Sequence, residues 1–346
     1  MKSLWGKAPF QFQVREIPTP EPGPGEVLVK VAACGICGTD LHFVRHNQEW
    51  TPLGHEVAGV IAAVGPGVIG WQGGETAIVE NHTGCGVCEQ CKNGRALYCQ
   101  NLTTYMQDRA GFAEYVRVRA DMVQTYDAQA LSPAQAALAE PLTVALDLLQ
   151  RADPDLNDEV AVFGPGPIGL MAVRLAKLRG ARRVFLTGSN RATPRGGHRL
   201  EVGRQMGADV VLAEAEDEIM AEIKAAVPQG VDRVLVTAPP RTLRQAFEIA
   251  RFGAIIGLIG IEFGDGAQVT FDVNAFHFKK LQLRASHAIP NHYFPMALDL
   301  LARRVVDPDL LVSHTFAPDE HEAAFQTLVD PQRMSLKVVL AEPVRG

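Results

Sequence analysis

Nowhere in this 346-residue chain is there an apolar run approaching the roughly 20 residues that a membrane-spanning helix needs. The opening stretch, Met1 to Phe10, holds no apolar segment long enough for a signal peptide, so a cytoplasmic protein is expected. Basic charge is short: 33 Lys and Arg stand against 39 Asp and Glu, a formal net charge of −6. That balance supplies no basic patch for a phosphate backbone and excludes nucleic acid as the expected partner. The acids are spread along the chain rather than gathered in a tail. There is no internal repeat and no low-complexity tract, which excludes solenoids and disordered linkers. Cysteine is scarce too, at six. In a reducing compartment, closely spaced cysteines point to metal rather than to disulfides.

What is present reads as an ordinary globular chain, 47% hydrophobic and 21% charged. Its length suggests two domains at roughly 150 residues each, with cores large enough to stand without disulfides. A Pro/Gly-rich stretch, Pro18 to Gly25, leads into strand-like Glu26 to Ala33. Val57 to Val64, Thr76 to Val79 and Phe112 to Val118 read as further short strands. Frequent Gly and Pro between them predict an antiparallel, barrel-like β domain with an irregular lobe at 80–109. From Pro133 the texture changes. Ala134 to Gln150 reads as helix, followed by strand Glu159 to Phe163 and helix Ile168 to Leu178. Strands 183–187, 210–212, 233–236 and 254–259 then alternate with helices 199–207, 219–227 and 242–250. Alternation at this spacing predicts a parallel, doubly wound sheet. The tail, from about Lys280, carries a helix at 295–304 and a last strand at 336–340.

Cys85, Cys88, Cys91 and Cys99 form Cys-x2-Cys-x2-Cys-x7-Cys. Four thiolates on one short loop match a tetrahedral Zn2+ site with no open position, hence structural; iron–sulfur clusters use other spacings. A second constellation lies upstream. Cys37, Thr39, Asp40 and His42 crowd a Gly-rich turn after a strand, and His55 and Glu56 follow in Gly54-His-Glu56. A catalytic zinc takes about three protein ligands and leaves one position open. Cys37 and His55 are two candidates, and Glu56 or Glu140 is the acidic third. Glu140 sits in the apolar run 136–145, where a lone carboxylate is costly unless paired or metal-bound; it could also be a helix-start residue before Pro141.

Gly164-Pro-Gly-Pro-Ile-Gly169 fits G-x-G-x-x-G between an apolar strand and an apolar helix, the context in which that motif cradles a dinucleotide pyrophosphate. Gly164, Gly166, Pro167, Ile168 and Gly169 are the expected cofactor-binding residues there, with the phosphates at the helix N-terminus. Near the end of the second strand, where NAD-binding folds carry an acid, the chain reads Thr187-Gly-Ser-Asn-Arg191. Ser189, Asn190 and Arg191, with Arg195 and Arg199 beyond, suit a 2′-phosphate, so NADP is favoured over NAD.

Taken together, Gly35-Ile-Cys-Gly-Thr-Asp40, Gly54-His-Glu56, the four-Cys lobe, Gly111-Phe-Ala-Glu-Tyr115, Glu140-Pro-Leu142 and the glycine fingerprint resemble the zinc-containing medium-chain dehydrogenase/reductase family. The alcohol, sorbitol and threonine dehydrogenases belong to it, and Glu140-Pro-Leu142 looks most like the polyol branch. The resemblance implies an α/β chain: a Rossmann, doubly wound coenzyme domain over 146–280, and a GroES-like, mainly-β catalytic domain over 1–145 plus 281–346. The structural-zinc lobe lies at 80–105. It implies two zinc ions per chain, Cys37 and His55 with Glu56, Glu140 or both at the catalytic one, and NADP or NAD as cofactor. Asp40 would orient His55, Thr39 would take the substrate proton, and His42 would receive it through the nicotinamide ribose. The expected reaction is hydride transfer from a secondary alcohol or polyol, by a homotetramer or dimer. The alternatives are an amino-alcohol dehydrogenase such as an L-threonine 3-dehydrogenase, and a zinc-free quinone or enoyl reductase on the same fold. His287, Asn291, His292 and Tyr293 are further candidates for lining the substrate site.

Overall fold

The computed structural model of the chain describes residues 1–105, 110–188, 190–213, 215–287 and 292–342. They fall into two compact units, one of Met1–Pro141, Ile289–Asp330 and Lys337–Gly346, the other of Leu142–Ala288 and Pro331–Leu336.

The first unit is built around the strand Glu26–Gly35, which pairs antiparallel with Glu56–Val64, Tyr115–Arg119 and Lys337–Ala341. Its buried Val27 and Val29 join Val57, Ile61, Val116 and Val338 in one apolar core. The sheet continues through Thr76–Val79 and Val123–Gln124 at one side and Val312–Phe316 at the other. At its far end Gly35 stands opposite both Glu56 and Val339. A Cβ on Gly35 would meet Glu56 Oε2 at 2.0 Å, so only glycine leaves room for that carboxylate. A smaller sheet joins Gln11–Glu16, Lys2–Lys7 and Thr51–Pro52, and a two-stranded ribbon joins His82–Thr83 to Thr103–Thr104.

In the second unit the parallel strands run in the order Val210–Leu212, Arg183–Thr187, Glu159–Phe163, Val231–Val236, Ala250–Leu258 and Gln282–Ala285. That is the 3-2-1-4-5-6 order of a dinucleotide fold. Val160 to Phe163 are at most 1% exposed, the unbroken apolar run of a strand covered on both faces. The crossover helices include Pro167–Leu178, Pro194–Gln205, Glu216–Ala226 and Leu243–Ile249. The α/β class with a parallel sheet is as expected. Among the described residues, no helix is long and apolar enough to cross a membrane.

Three features differ from the sequence reading. The helix expected at Ala134 to Gln150 is two helices, Pro133–Ala136 and Ala139–Ala152, because Ser132 and Gln135 close a capping box on a single turn. The next crossover helix starts at Pro194, before Arg199, because Thr193 caps it and accepts the Gly196 N–H. The boundary expected at 280 falls short, since Gln282–Ala285 pairs with Ala250–Leu258 as the sixth parallel strand.

Candidate active site

The strand Glu26–Gly35 runs into the helix Gly38–His46, with Cys37 as its N-cap. The turn is closed by Asp40, buried at 1% exposure. Its Oδ2 accepts the Cys37 N–H at 2.9 Å and its Oδ1 accepts the Gly54 N–H at 2.8 Å. One carboxylate thus ties the Cys37 turn to the segment carrying His55. The His55 Nδ1 to Asp40 Oδ1 separation is 3.9 Å, beyond hydrogen-bond length, so Asp40 fixes backbones here rather than bonding the imidazole. Burial raises the Asp40 pKa, opposed by His55 and the two N–H donors.

Cys37 Sγ, a His55 ring nitrogen and a Glu56 oxygen all lie within 4.8 Å of one another. Burial pushes the His55 pKa down, but the Cys37 thiolate, Asp40 and Glu140 outweigh it, and the imidazole sits well above its ordinary value. Cys37, Asp40 and Glu140 together raise the proton affinity of the imidazole, the signature of an anion-rich pocket. Glu140 is outside the triplet of Cys37, His55 and Glu56. It is 6% exposed, accepts Asn81 Nδ2 at 2.7 Å, and is pushed up to about 7 chiefly by burial. Thr39 Oγ1 is 3.7 Å from Cys37 Sγ, and His42 lies one turn further along the same helix, with its ring 4.7 Å from that of His46.

Two residues absent from the sequence reading complete this region. Lys337 Nζ donates to both Glu56 oxygens, at 2.5 and 2.8 Å, and to the Ile36 carbonyl at 3.2 Å. Asn81 holds Glu140. Neither belongs to a motif, and both reach the site only through strand pairing. Of the other substrate-site candidates, His287 and His292 are exposed and Tyr293 is partly buried. Asn291 lies outside the described residues.

In the lobe, Cys85, Cys88, Cys91 and Cys99 bring their sulfurs within 4.8 Å of one another, and no disulfide joins any of the six cysteines. Cys88 and Cys99 are 3.8 Å apart, about the edge of a tetrahedron with metal–sulfur bonds of roughly 2.3 Å. Backbone N–H groups of Val87 and Cys88 pull Cys85 down to about 6, whereas burial and the neighbouring sulfurs push Cys91 up to about 12. Four such thiols ionise together only around a cation.

In the second unit, Gly164 (φ 108°) ends the first strand and Gly166 caps the helix Pro167–Leu178, with Pro167 in its first turn. A Cβ on Gly169 would lie 1.9 Å from the Gly164 carbonyl, whereas one on Gly166 would meet nothing within 4 Å. Gly169 therefore serves helix–strand packing, and Gly166 faces open space beside a helix N-terminus. Beyond the second strand, Asn190 Oδ1 accepts the Ala192 N–H, a local turn, and Arg191 Nη2 donates to the Val211 carbonyl at 2.9 Å. Arg199 donates Nε to the Ser335 carbonyl. Ser189 lies outside the described residues.

Comparison with known proteins matches residues 23–127 to the alcohol dehydrogenase GroES-like domain and residues 167–303 to the zinc-binding dehydrogenase domain. An L-threonine 3-dehydrogenase of Pyrococcus horikoshii is 32% identical over 93% of each chain. The chain belongs to the zinc-binding dehydrogenases. It is an oxidoreductase of the medium-chain type, with the GroES-like and Rossmann folds of that family. A sorbitol dehydrogenase of Bacillus subtilis is 31% identical over 95% of this chain and 94% of its own. Among solved structures, an Escherichia coli alcohol dehydrogenase complexed with NADH superposes with a TM-score of 0.87 at 30% identity. A zinc-binding dehydrogenase of Sinorhizobium meliloti bound to NADP does so at 0.86 and 29%. Each pair covers 99% of both chains.

Proposed function

We propose that this dehydrogenase oxidises a secondary hydroxyl of a polyol, a sugar alcohol or a cyclitol, with zinc bound at two sites and NADP as the favoured cofactor. The observation that carries the reading is the convergence of Cys37, His55 and Glu56 within 4.8 Å. That soft–borderline–hard donor set is one zinc accepts in catalytic sites. Glu140, held by Asn81, carries a further carboxylate whose charge acts on His55 and Glu56, and Lys337 balances the charge of Glu56. The four-sulfur cluster fits a closed structural zinc, and the open space at Gly166 fits a pyrophosphate. Bound there, zinc supplies Lewis acidity to the alcohol oxygen and the nicotinamide supplies a hydride acceptor.

The chain's own residues do the rest. Thr39 lies beside Cys37 on the first turn of its helix and takes the proton of the substrate hydroxyl. His42, three residues on and therefore on the same helical face, delivers it towards solvent. Asp40 holds the Cys37 and Gly54 backbones so that thiolate and imidazole keep their spacing. Arg191, held by the Val211 carbonyl beyond the second parallel strand, would bond the 2′-phosphate of NADP. The likeness to an L-threonine 3-dehydrogenase favours a second reading, oxidation of an amino-alcohol. A kinetic screen of polyols, cyclitols, simple secondary alcohols and L-threonine with NAD and NADP separates the two. Cys37→Ser should lower kcat at least 1000-fold with the fold intact, and retained turnover would refute the metal-centre assignment.

The second unit ends in the edge strand Gln282–Ala285, flanked by exposed Phe252, Val273, Phe278 and Leu283. An unpaired strand edge beside so much apolar surface is a template for another edge. We assign it to pairing with a second copy, the basis of a homodimer or homotetramer. With six unpaired cysteines, the protein suits the reducing cytoplasm.

A further inference from the structure

The first unit holds a cavity of 670 Å3 to which Cys37, His55, Glu56 and Glu140 contribute no wall. Sites for small organic ligands run to roughly 300–1,000 Å3, so the space is of ligand size. Strand pairing builds it. Leu4 stands opposite Val14 in the small sheet, and the segment 111–114 runs along the other side of the same strand. There the Phe112 carbonyl accepts the Leu4 N–H at 2.8 Å, and the Lys2 carbonyl accepts the Glu114 N–H at 3.1 Å. The strand Glu26–Gly35 joins through the Val31 N–H, which donates to the Glu114 carbonyl at 3.0 Å. Glu342 is tied to the same strand by donating its N–H to the Ala32 carbonyl at 3.0 Å. The turn 317–321 supplies a further wall.

Leu4, Val14, Val31, Phe112 and Leu340 make the walls largely apolar. The charged residues are Lys2, Glu114, Asp319 and Glu342, all exposed to water. Three carboxylates against one ammonium leave an excess of two negative charges. Glu114 Oε2 accepts the Lys2 backbone N–H at 2.7 Å, and among the described residues none of the three carboxylates sits in an ion pair. The neutral His321 ring donates from Nδ1 to the Pro318 carbonyl at 3.1 Å, which leaves its Nε2 an acceptor. Apolar walls with a rim of acceptors and unpaired anions complement an organic cation. A carboxylate of the same shape would meet the excess negative charge instead.

We propose that this cavity is a second ligand site, for an amine carried on an apolar body, and that its occupant acts on the metal centre. The connection is a short chain of backbone bonds. Phe112, a wall of the cavity, donates its N–H to the Leu53 carbonyl at 2.9 Å, and Gly111 donates to the Gly54 carbonyl at 2.7 Å. Gly54 directly precedes His55 and donates its own N–H to Asp40, the carboxylate that also holds Cys37. Packing there is tight. A Cβ on Gly54 would lie 2.8 Å from the Phe112 ring, so that ring cannot press inward without moving Gly54. A ligand seated against Phe112 therefore bears on the segment that carries His55. Such coupling is reciprocal: as the ligand changes metal affinity, so the metal changes ligand affinity. The inference goes beyond the dehydrogenase reading and holds for whichever alcohol is oxidised.

4-Phenylbutylamine and 4-phenylbutyrate share a phenylalkyl body and differ in the sign of their charge. In calorimetry the zinc-loaded enzyme should bind the amine with a Kd of about 1 mM or tighter, fitting a ligand of that size. The carboxylate should bind about tenfold more weakly or worse. Asp319→Asn with Glu342→Gln should raise the amine Kd by about fivefold or more, and both positions are exposed, so the fold is kept. Val14→Trp, which adds an indole to the cavity wall, should weaken the amine as well. Binding should persist in Cys37→Ser. Its loss there, with an unchanged Kd in both cavity variants, would place the amine on the metal and overturn the site. Equal affinities for amine and carboxylate would overturn it too. For the coupling, saturating amine should shift the zinc affinity of the metal-depleted enzyme about fivefold or more, and should not do so in Val14→Trp. An unchanged zinc affinity in the wild type would overturn the action on the metal centre. Neither readout needs turnover, so failure here leaves the dehydrogenase reading standing.

Discussion

Lys337 is 4% exposed and its ammonium is shared between the Glu56 carboxylate and the Ile36 carbonyl. Burial alone would drive that ammonium to lose its proton, but Glu56, Cys37 and Glu140 raise its pKa instead. Removing one partner of such a pair strands the other charge in a low-dielectric interior, at about 3–5 kcal/mol. Lys337→Met should therefore lower the Tm of the metal-free protein markedly. Zinc should raise the Tm of the variant more than that of the wild type, because the metal then supplies the missing positive charge; an equal rise in a thermal-shift titration would refute this. A different residue sets a pH dependence. Glu80 is 1% exposed with one oxygen unpartnered, and burial raises its pKa from 4.5 to about 7. The folded state thus holds this proton more tightly than the unfolded chain. The resulting stability is fully present below pH 4.5 and is lost as pH rises through about 7, on the order of 3 kcal/mol in total. Glu80→Gln should flatten the decline of Tm between pH 5 and 8, and an unchanged slope would show that Glu80 does not titrate in this range.

At the scale of elements, the four-cysteine lobe is an insertion between the two strands of the ribbon His82–Thr83 and Thr103–Thr104. The ribbon has two paired positions, too few to hold a register by backbone bonds alone. A metal gripping Cys85 to Cys99 would clamp both strands at their inner ends, and Thr104 at the outer end holds the Asn81 carbonyl. The four-cysteine lobe and Glu140 are therefore joined through one short element, since Asn81 bonds both Thr104 and Glu140. Metal analysis should find two zinc per chain. Cys88→Ser should bring this to about one and, with the catalytic zinc still bound, lower kcat/KM through the loosened Asn81–Glu140 contact; a variant with one zinc and full activity would break the link.

At the scale of the whole molecule, the edge strand Gln282–Ala285 carries the prediction. Phe252 is 73% and Phe278 69% exposed, large rings that a stable monomer would seldom leave in water. Light scattering should give a mass of twice or four times 37.4 kDa. Leu283→Asp together with Phe278→Glu should halve it, by placing charge on the pairing edge. A wild-type chain that runs as a monomer at micromolar concentration would refute this assignment.

Much of the chain was legible in advance because its signals are local. The strand Glu159–Phe163, the fingerprint 164–169 and the four cysteines each lie within about 15 residues, where spacing and period carry the chemistry. Cys37 and His55 were legible for the same reason, each sitting in a short polar cluster on a Gly-rich turn. The choice between Glu56 and Glu140 was not, because spacing cannot tell which of two distant carboxylates reaches the thiolate. That Lys337 occupies Glu56 and that Asn81 occupies Glu140 follow from tertiary contacts that join positions up to 281 residues apart. By itself, then, the sequence determined the class, the grouping of the four lobe cysteines and the glycine turn after the first strand of the parallel sheet, since short-range geometry suffices for each. Only the tertiary structure decided the charge balance and polar lining of the site, because buried charges and unsatisfied polar atoms are properties of packing between segments that no local pattern encodes.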